Sequence, residues 1–304
     1  MNNEKYEELD RLSKKNKIGI FLIIIFILFI FIIPSAIVII YENISDYYLF
    51  PPLIISIIGT IIIYKMFCRP YNDKKRLLYQ EVKKNLLQKE INNTFNNTYK
   101  EEDIENLLKE LQDLYLRSVK NEYYNDYFSA IYNNVKFNYV DFETDGPIDD
   151  DTNGPSAFFK GSLLTFSIKT SIGGDLYIGK KGMILSDIDG AFKTKNKKIT
   201  PNNNLLNDNI IIKSNDHPSI IENNSFQQAL NDLITEDNEY MLVYKNNKLY
   251  VFINNRDYAF EFLLDKKEDE TVGKERIIEG INVLKTELDK ILKYKEELNI
   301  KEEI

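Results

Sequence analysis

The feature that most constrains this chain is a run of 24 residues without a charge, residues 18–41. A helix rises about 1.5 Å per residue, so this run is long enough to cross a hydrocarbon layer of about 30 Å. A second apolar run, residues 49–68, follows a short acidic loop and contains a single charge, that of Lys65. A lysine at the end of such a run can extend its stem so that the ammonium reaches the headgroups. The two runs predict a transmembrane hairpin over residues 18–68, with helices at 18–41 and 49–68.

Basic residues flank the predicted hairpin on the side of the two chain termini. They are Lys14, Lys15 and Lys17 before the first helix and Arg69, Lys74, Lys75 and Arg76 after the second. The loop between the helices carries Glu42 and Asp46 instead. Because cytoplasmic segments are enriched in Lys and Arg, this asymmetry places both termini in the cytoplasm. The first run is longer than the apolar core of a signal peptide, and no small-residue cleavage site follows it. We therefore predict a two-pass protein of the cell (plasma) membrane.

Charge and cysteine content exclude some classes of partner and site. The net charge is −8 and the isoelectric point is about 5.0, so the chain lacks the positive field that nucleic-acid binding needs, and nucleic acid is not expected as a partner. The single cysteine, Cys68, allows neither an intramolecular disulfide nor a cysteine metal cluster. A cysteine beside a membrane helix is a candidate for palmitoylation. The favoured alternative is a small apolar residue that ends the helix.

Three further helices are predicted on either side of the hairpin. Residues 1–17 place Tyr6, Leu9 and Leu12 at intervals of three, which indicates a cytosolic amphipathic N-terminus. Residues 72–120 contain two helical patterns that we predict to pair as a helical stalk. The first has the apolar stripe Leu78, Val82, Leu86 or Leu87, and Ile91, and the second has Ile104, Leu107, Leu108, Leu111, Leu114 and Tyr115.

Residues 121–304 predict a cytosolic α+β domain, because the apolar period changes from helical to alternating. Strands are expected at 135–140, 164–168, 175–179, 209–213 and 258–263, with a loop at 193–208. A tight hairpin is predicted where two apolar strands flank the pair Asn246-Asn247, since Asn tolerates the positive φ that such turns need. Residues 225–236 predict a helix with Ser225 as its N-cap.

The C-terminal segment from Gly273 predicts a long helix with an apolar stripe. The stripe consists of Ile277, Ile281, Leu284, Leu288, Ile291 and Leu298, with an interruption at Lys295. Packing against the sheet or another helix is favoured over dimerisation through an independent coiled coil. The predicted fold is therefore α+β: a two-helix transmembrane hairpin, a helical stalk, and an antiparallel sheet of about five to seven strands with a long C-terminal helix.

The sharpest candidate for a metal site is the acidic segment 149–154, DDDTNG, which fits the first half of an EF-hand calcium loop. The twelfth position should be a bidentate Glu but is Lys160, and the flanks predict strands, so a solvated acidic loop is favoured. Residues 186–190 form a weaker acidic turn. For an enzyme, the first candidates for base or metal ligand are Asp149, Asp151, Asp187 and Asp189.

Other chemical motifs in the sequence are weak. The single histidine, His217, has no nucleophile elbow to partner it and is expected in an exposed loop. The glycines in residues 171–175 precede a strand rather than a helix, which argues against a phosphate-binding loop. No catalytic, metal-binding or cofactor-binding residue is assigned, and no cofactor is predicted.

Several segments together resemble a family of uncharacterised bacterial membrane proteins, domain-of-unknown-function family 3137. The resemblance covers roughly 120–300 and also includes the N-terminal pair of membrane helices. Its motifs are Asn125-Asp126-Tyr127-Phe128-Ser129, Val135-Lys136-Phe137-Asn138-Tyr139-Val140-Asp141, Ala157-Phe158-Phe159-Lys160-Gly161, His217-Pro218 with Phe226, and residues 248–253 with Phe260. The chain departs from the family in having Ser-Phe-Gln-Gln where acidic residues flank the Phe. The resemblance implies a membrane-tethered cytosolic domain and supplies no catalytic residues.

The sequence favours a membrane-anchored protein whose cytosolic domain is a non-enzymatic binding or scaffold module. Its expected partners are the lipid bilayer and either a protein or anionic lipid headgroups. Two alternatives stay open: a membrane-tethered enzyme that uses acidic residues, and an oligomeric structural protein, a homo-oligomer held by its helices.

Overall fold

The computed structural model describes residues 3–40, 50–95, 104–114, 122–149, 154–168, 174–180, 197–214, 216–235, 240–254, 260–264 and 266–297. The chain divides into two compact units. The helical unit consists of Met1–Leu86 and Phe262–Glu275, and the β-unit consists of Leu87–Glu261 and Arg276–Ile304. The β-unit therefore begins inside the segment that was predicted to be a stalk.

Long helices build the helical unit. Helix α1 is Asn3–Ile40 and helix α2 is Phe50–Ile63. A π-helical turn, Tyr64–Cys68, joins α2 directly to helix α3, Arg69–Thr94. The apolar runs of the sequence thus continue as helix into the polar residues that flank them.

Helix α1 packs antiparallel to the continuous helix formed by α2, the π-turn and α3. The contacting pairs are, in order along α1, Lys5–Glu81, Glu8–Lys74, Gly19–Phe67 and Phe26–Gly59. The partner number falls as the number along α1 rises, which defines the direction. Two ion pairs join the polar ends, with Nζ–O distances of 2.5 Å and 2.7 Å. The N-terminal segment is therefore the helical partner of α3. The stalk prediction had instead paired α3 with the second helical pattern of residues 72–120.

The outer surface of the paired apolar helices is exposed. The exposed side chains, between 41 % and 65 %, are Ile18, Ile20, Phe21, Ile24, Ile27, Leu28 and Phe29 on α1 and Ile54, Ile55, Ile57, Ile58, Ile61 and Ile62 on α2. Within the described residues, the helix Ile54–Thr94 is long and apolar enough to cross a membrane, and 11 % of its apolar window is buried. The core helix of a soluble protein would be mostly buried. That either helix crosses a membrane, and that the two form a transmembrane hairpin, stays a prediction.

The close approach of α1 to the π-turn depends on Gly19. A Cβ at this position would lie 2.5 Å from Cβ of Phe67 and 3.2 Å from Sγ of Cys68. We expect Gly19→Leu to destabilise the packing of the two helices by about 1–3 kcal/mol, since added bulk in a packed contact displaces backbone. Unfolding of the full chain in detergent, followed by circular dichroism, measures this change.

The matched control is Ile20→Phe, which adds bulk at a neighbouring side chain that is 47 % exposed. This variant should unfold as the wild type does. Equal stability of the Gly19→Leu protein would show that the helices do not approach as closely as the structure indicates.

The β-unit contains an eight-stranded sheet among the described residues, with the order β1-β2-β3-β8-β7-β4-β6-β5. The strands are β1 Glu122–Tyr132, β2 Val135–Asp149, β3 Gly154–Ser167, β4 Leu176–Lys180, β5 Lys197–Ile199, β6 Ile210–Ser214, β7 Tyr240–Lys245 and β8 Lys248–Ile253. Each pairing is antiparallel, which confirms the predicted antiparallel sheet, but the described sheet has eight strands instead of the predicted five to seven. Strand β5 lies in the predicted loop, and residues 260–263 of the last predicted strand are not a strand.

Helices cover both faces of the sheet. Helix α4, Ile104–Leu114, buries Leu107, Leu111 and Leu114 against one face. The sheet residues of that cluster are Val140, Leu163, Tyr177, Met241, Val243, Tyr250 and Phe252. Helix α4 is therefore part of the β-unit rather than of a stalk. Its three leucines lie on one side of the helix, as their spacing of four and three requires.

The opposite face carries Phe137 and Phe166, whose ring centroids are 6.4 Å apart. Phe95, directly after α3, packs edge-on against Phe137 at 5.6 Å. Helix α6, Asp269–Glu297, contributes Lys295, whose ammonium lies 4.9 Å from the Phe166 ring centroid. The α6 residues Ile277, Ile281, Leu284, Leu288 and Ile291 are buried, so their stripe packs within the fold as predicted. Lys295 is buried as well, so it continues the packed face instead of interrupting it.

Asparagine pairs form two of the turns between strands. Asn246 and Asn247 have φ values of 51° and 59°, which confirms the predicted hairpin between β7 and β8. Asn133 and Asn134 adopt the same conformation between β1 and β2, with φ of 49° and 62°. Asparagine adopts the left-handed region at little cost, so these pairs fix the register of both hairpins.

Helix α5, Asn224–Leu233, confirms the helix predicted at 225–236 but begins one residue earlier. Its N-cap is Asn223, whose side-chain oxygen accepts a hydrogen bond of 2.8 Å from the backbone amide of Ser225. The prediction of Ser225 as N-cap is therefore wrong. Both residue types cap helices well, and the sequence N-N-S offers three adjacent candidates.

Candidate functional site

The strongest cluster of chemically active side chains lies within the sheet. Strand β2 places Tyr139 and Asp141 on one face, because residues two apart in a strand point the same way. The antiparallel pairing of β2 with β3 then sets Ser162 directly opposite Asp141. We call these three residues the buried polar cluster.

The buried polar cluster is closed by hydrogen bonds among its own members. The Tyr139 hydroxyl donates to Oδ1 of Asp141 at 2.5 Å, and the Ser162 hydroxyl donates to the same oxygen at 2.7 Å. The two hydroxyl oxygens are 3.0 Å apart. Asp141 is 0 % exposed, so these hydroxyls provide the hydrogen bonds that water would otherwise make.

Aromatic rings wall the buried polar cluster from solvent. Phe128 stacks on Tyr139 with centroids 5.0 Å apart, and Phe260 lies 5.5 Å from the same ring. Burial raises the pKa of the Tyr139 phenol well above its ordinary value, and the charge of Asp141 raises it further. The Tyr139 phenol therefore stays protonated and donates to the carboxylate of Asp141. At the rim of the cluster, the Asn125 side-chain amide donates to Oε1 of Glu261.

The chemistry open to the buried polar cluster is limited by its burial. A carboxylate and two hydroxyls could move a proton, but a substrate cannot reach a carboxylate that is 0 % exposed. The arrangement instead ties β2 to β3 by side chains as well as by backbone. Its role in this geometry is to position the sheet.

A second polar contact holds α4 on the other face of the sheet. Glu110 accepts a 2.5 Å hydrogen bond from Nζ of Lys248 through Oε1 and a 3.1 Å bond from the Tyr250 hydroxyl through Oε2. Both side chains of the ion pair are about one-third exposed. This contact fixes the orientation of α4 over β8.

A cleft of about 120 Å³ lies between α5 and α6. Its lining residues are Ala229, Asp232, Leu233, Lys290, Lys293 and Tyr294. Beneath it, the Tyr244 hydroxyl donates to the Tyr294 hydroxyl at 2.6 Å, and burial raises the pKa of both phenols. Small-molecule sites usually enclose about 300–1,000 Å³, so this cleft is small for one.

The acidic candidates from the sequence are mostly outside the described residues. Asp149 ends β2 and Gly154 begins β3, while residues 150–153 and the turn with Asp187 and Asp189 lie outside the description. Within the described ranges, no three His, Cys, Asp or Glu side chains are grouped so that they could hold a metal ion.

His217 lies in an exposed position, as predicted, and has a specific partner. Its Nε2 is 2.7 Å from Oε1 of Glu222, and the Asn202 amide donates to Oε2 of the same carboxylate at 2.9 Å. The hydrogen bond from His217 lowers the pKa of Glu222. The hydrogen bonds described for the ring and its carboxylate partner join His217 to Glu222 and Glu222 to Asn202.

Gly174 belongs to the glycine pair considered for phosphate binding. Its φ is 139°, and a Cβ there would lie 2.5 Å from a carboxylate oxygen of Asp216. A negative side chain against this glycine would repel a phosphate. Residues 171–173 of this segment lie outside the described residues, so the sequence argument against a phosphate-binding loop stays a prediction.

Sequence reasoning missed the buried polar cluster. The available signal was the alternation of Phe137 and Tyr139 along the strand. Asp141 occupies the next position of this alternation, where an apolar residue is expected. An acid in that position needs a buried partner. Ser162, 21 residues away, could not be identified as that partner without the register of β2 and β3.

No protein-family model matches the chain, and no curated protein or solved structure matches it. The resemblance to family 3137 therefore stays a prediction.

Proposed function

We propose that this chain is anchored in the cell membrane by α1 and α2, crosses it twice, and has both termini in the cytoplasm. The observation that carries the proposal is the exposed apolar surface of the paired helices, with Phe21 and Ile55 above 60 % exposed. Exposure of so large an apolar surface to water would cost free energy, whereas lipid chains would solvate it. The basic residues at the polar end favour a cytoplasmic location for that end.

Cysteine labelling of full-length protein tests this topology. In a Cys68→Ser background, single cysteines replace Ser13, Asp46 or Ser219. A membrane-impermeant maleimide should label position 46 in intact cells or spheroplasts, and positions 13 and 219 after permeabilisation. The cysteine-free parent is the control. Labelling of position 219 in intact cells, or release of the chain by alkaline carbonate, would contradict the proposal.

The β-unit is a non-enzymatic binding or scaffold module at the cytoplasmic surface in this proposal. Support comes from the enclosed buried polar cluster, whose reactive groups serve the sheet, and from apolar side chains on its surface. Leu205 and Val283 are 45 % and 53 % exposed. In this proposal both side chains belong to the surface that a partner protein covers, since contiguous apolar patches are frequent at sites of protein association.

Photo-crosslinking in cells tests the binding role. A photoreactive residue replaces Leu205 or Val283 in the full-length chain, and Asp208 serves as an exposed polar control position. A discrete adduct with one protein from an apolar position, and none from the control, is expected. Adducts of the chain with itself would favour the oligomeric alternative. The same set of adducts from the apolar positions and from the control position would contradict a specific binding surface.

A further inference from the structure

Five basic side chains lie near the level at which the apolar part of the helical pair ends. Lys14, Lys15 and Lys17 precede the apolar run on α1, and Lys65 and Arg69 lie in and after the π-turn. The contact of Gly19 with Phe67 brings these two groups to the same level of the antiparallel pair. We call the five residues the basic collar.

The basic collar is open to solvent and only partly neutralised. Lys14 is 73 % exposed and pairs with Asp10 at 2.8 Å, and Arg69 is 62 % exposed and pairs with Asp73 at 3.4 Å. Both acids lie one helical turn farther from the apolar part. Lys15, Lys17 and Lys65 are exposed and make no ion pair among the described residues. The collar thus keeps a positive charge beside the apolar surface.

We propose that the basic collar binds the anionic headgroups of phospholipids in the cytoplasmic leaflet. This inference rests on the proposed membrane anchoring. Headgroup phosphates lie immediately outside the hydrocarbon layer, at the level where the apolar side chains of the pair give way to these cations. A zwitterionic headgroup carries its own compensating cation, so the collar selects lipids with net negative charge. Exposed Lys and Arg stems extend to reach them.

Native mass spectrometry of the full-length chain, released from nanodiscs with equal amounts of phosphatidylglycerol and phosphatidylcholine, tests the inference. We expect phosphatidylglycerol to be retained in about three-fold excess or more, since each surface cation attracts anionic lipid. A variant with Lys14→Gln, Lys15→Gln, Lys17→Gln, Lys65→Gln and Arg69→Gln should bring the ratio close to one.

The matched control removes five exposed lysines from outside the basic collar, with Lys84→Gln, Lys89→Gln, Lys109→Gln, Lys197→Gln and Lys198→Gln. It changes the net charge equally and should keep the wild-type preference. A chain that enters nanodiscs but shows no preference, or an equal loss in both variants, would overturn the collar and leave the membrane anchor in place. Failure of the wild type to enter nanodiscs would overturn both proposals.

Discussion

Replacement of Asp141 by alanine should lower the free energy of unfolding of the β-unit by about 2–5 kcal/mol. The change removes the acceptor of two buried hydroxyls, those of Tyr139 and Ser162, which donate to Asp141 at 2.5 Å and 2.7 Å. Each buried donor left without its partner costs about 1–3 kcal/mol. Denaturant unfolding of the full chain in detergent, monitored through tyrosine fluorescence, measures the loss.

Two further variants test whether the loss of stability comes from the buried polar cluster. Asp175→Ala removes an acid from a partly exposed ion pair with Lys245, at 3.5 Å, and should change stability by less than about 1 kcal/mol. The triple variant Tyr139→Phe, Asp141→Leu, Ser162→Ala replaces all polar groups together and should recover much of the loss. If Asp141→Ala were no more costly than Asp175→Ala, the buried polar cluster would not stabilise the sheet.

The β-unit should unfold in alkali as the pH rises above about 10. Burial raises the pKa of four phenols of the β-unit above the ordinary value of 10.0, those of Tyr139, Tyr177, Tyr244 and Tyr294. Between the unfolded and folded pKa values these phenols ionise only in the unfolded chain. The unfolded state then binds fewer protons, so stability is complete below pH 10 and falls above it. Four such groups give a slope of about 5 kcal/mol per pH unit.

The alkaline slope is measured from denaturant midpoints at a series of pH values, with tyrosinate absorbance as the signal for ionisation. The double variant Tyr244→Phe, Tyr294→Phe removes two of the four phenols and should reduce the slope to about half. Both proteins carry the same lysines and arginines, so the comparison isolates the phenols. An unchanged slope would mean that these tyrosines ionise without unfolding.

Local patterns predicted the elements whose partners are close in sequence. The helices, the antiparallel sheet and the turn at Asn246-Asn247 each follow from a period or a turn residue within a short window. The element against which each apolar stripe packs was harder to predict from the sequence. Leu107 and Leu111 gave the correct apolar stripe for α4, but a stripe does not specify whether it meets a helix or a sheet.

The buried polar cluster could not be predicted because it depends on register. Tyr139 and Asp141 share a face by simple alternation, whereas Ser162 joins them only when β2 and β3 pair in one register. A shift of one residue would turn Ser162 to the other face and leave Asp141 buried without this donor. The polar contact therefore selects among registers that the apolar residues alone would tolerate.

The unbroken helix from Phe50 to Thr94 makes the helical pair a stiff rod. No loop separates its apolar part from its polar part, and the ion pair of Lys5 with Glu81 fastens the far end to α1. A tilt or vertical shift of the apolar part would therefore also displace Leu9 and Leu78, because the helix continues through the π-turn without a loop. In the proposed membrane-anchored state, changes in bilayer thickness would be transmitted mechanically along the pair to its polar end.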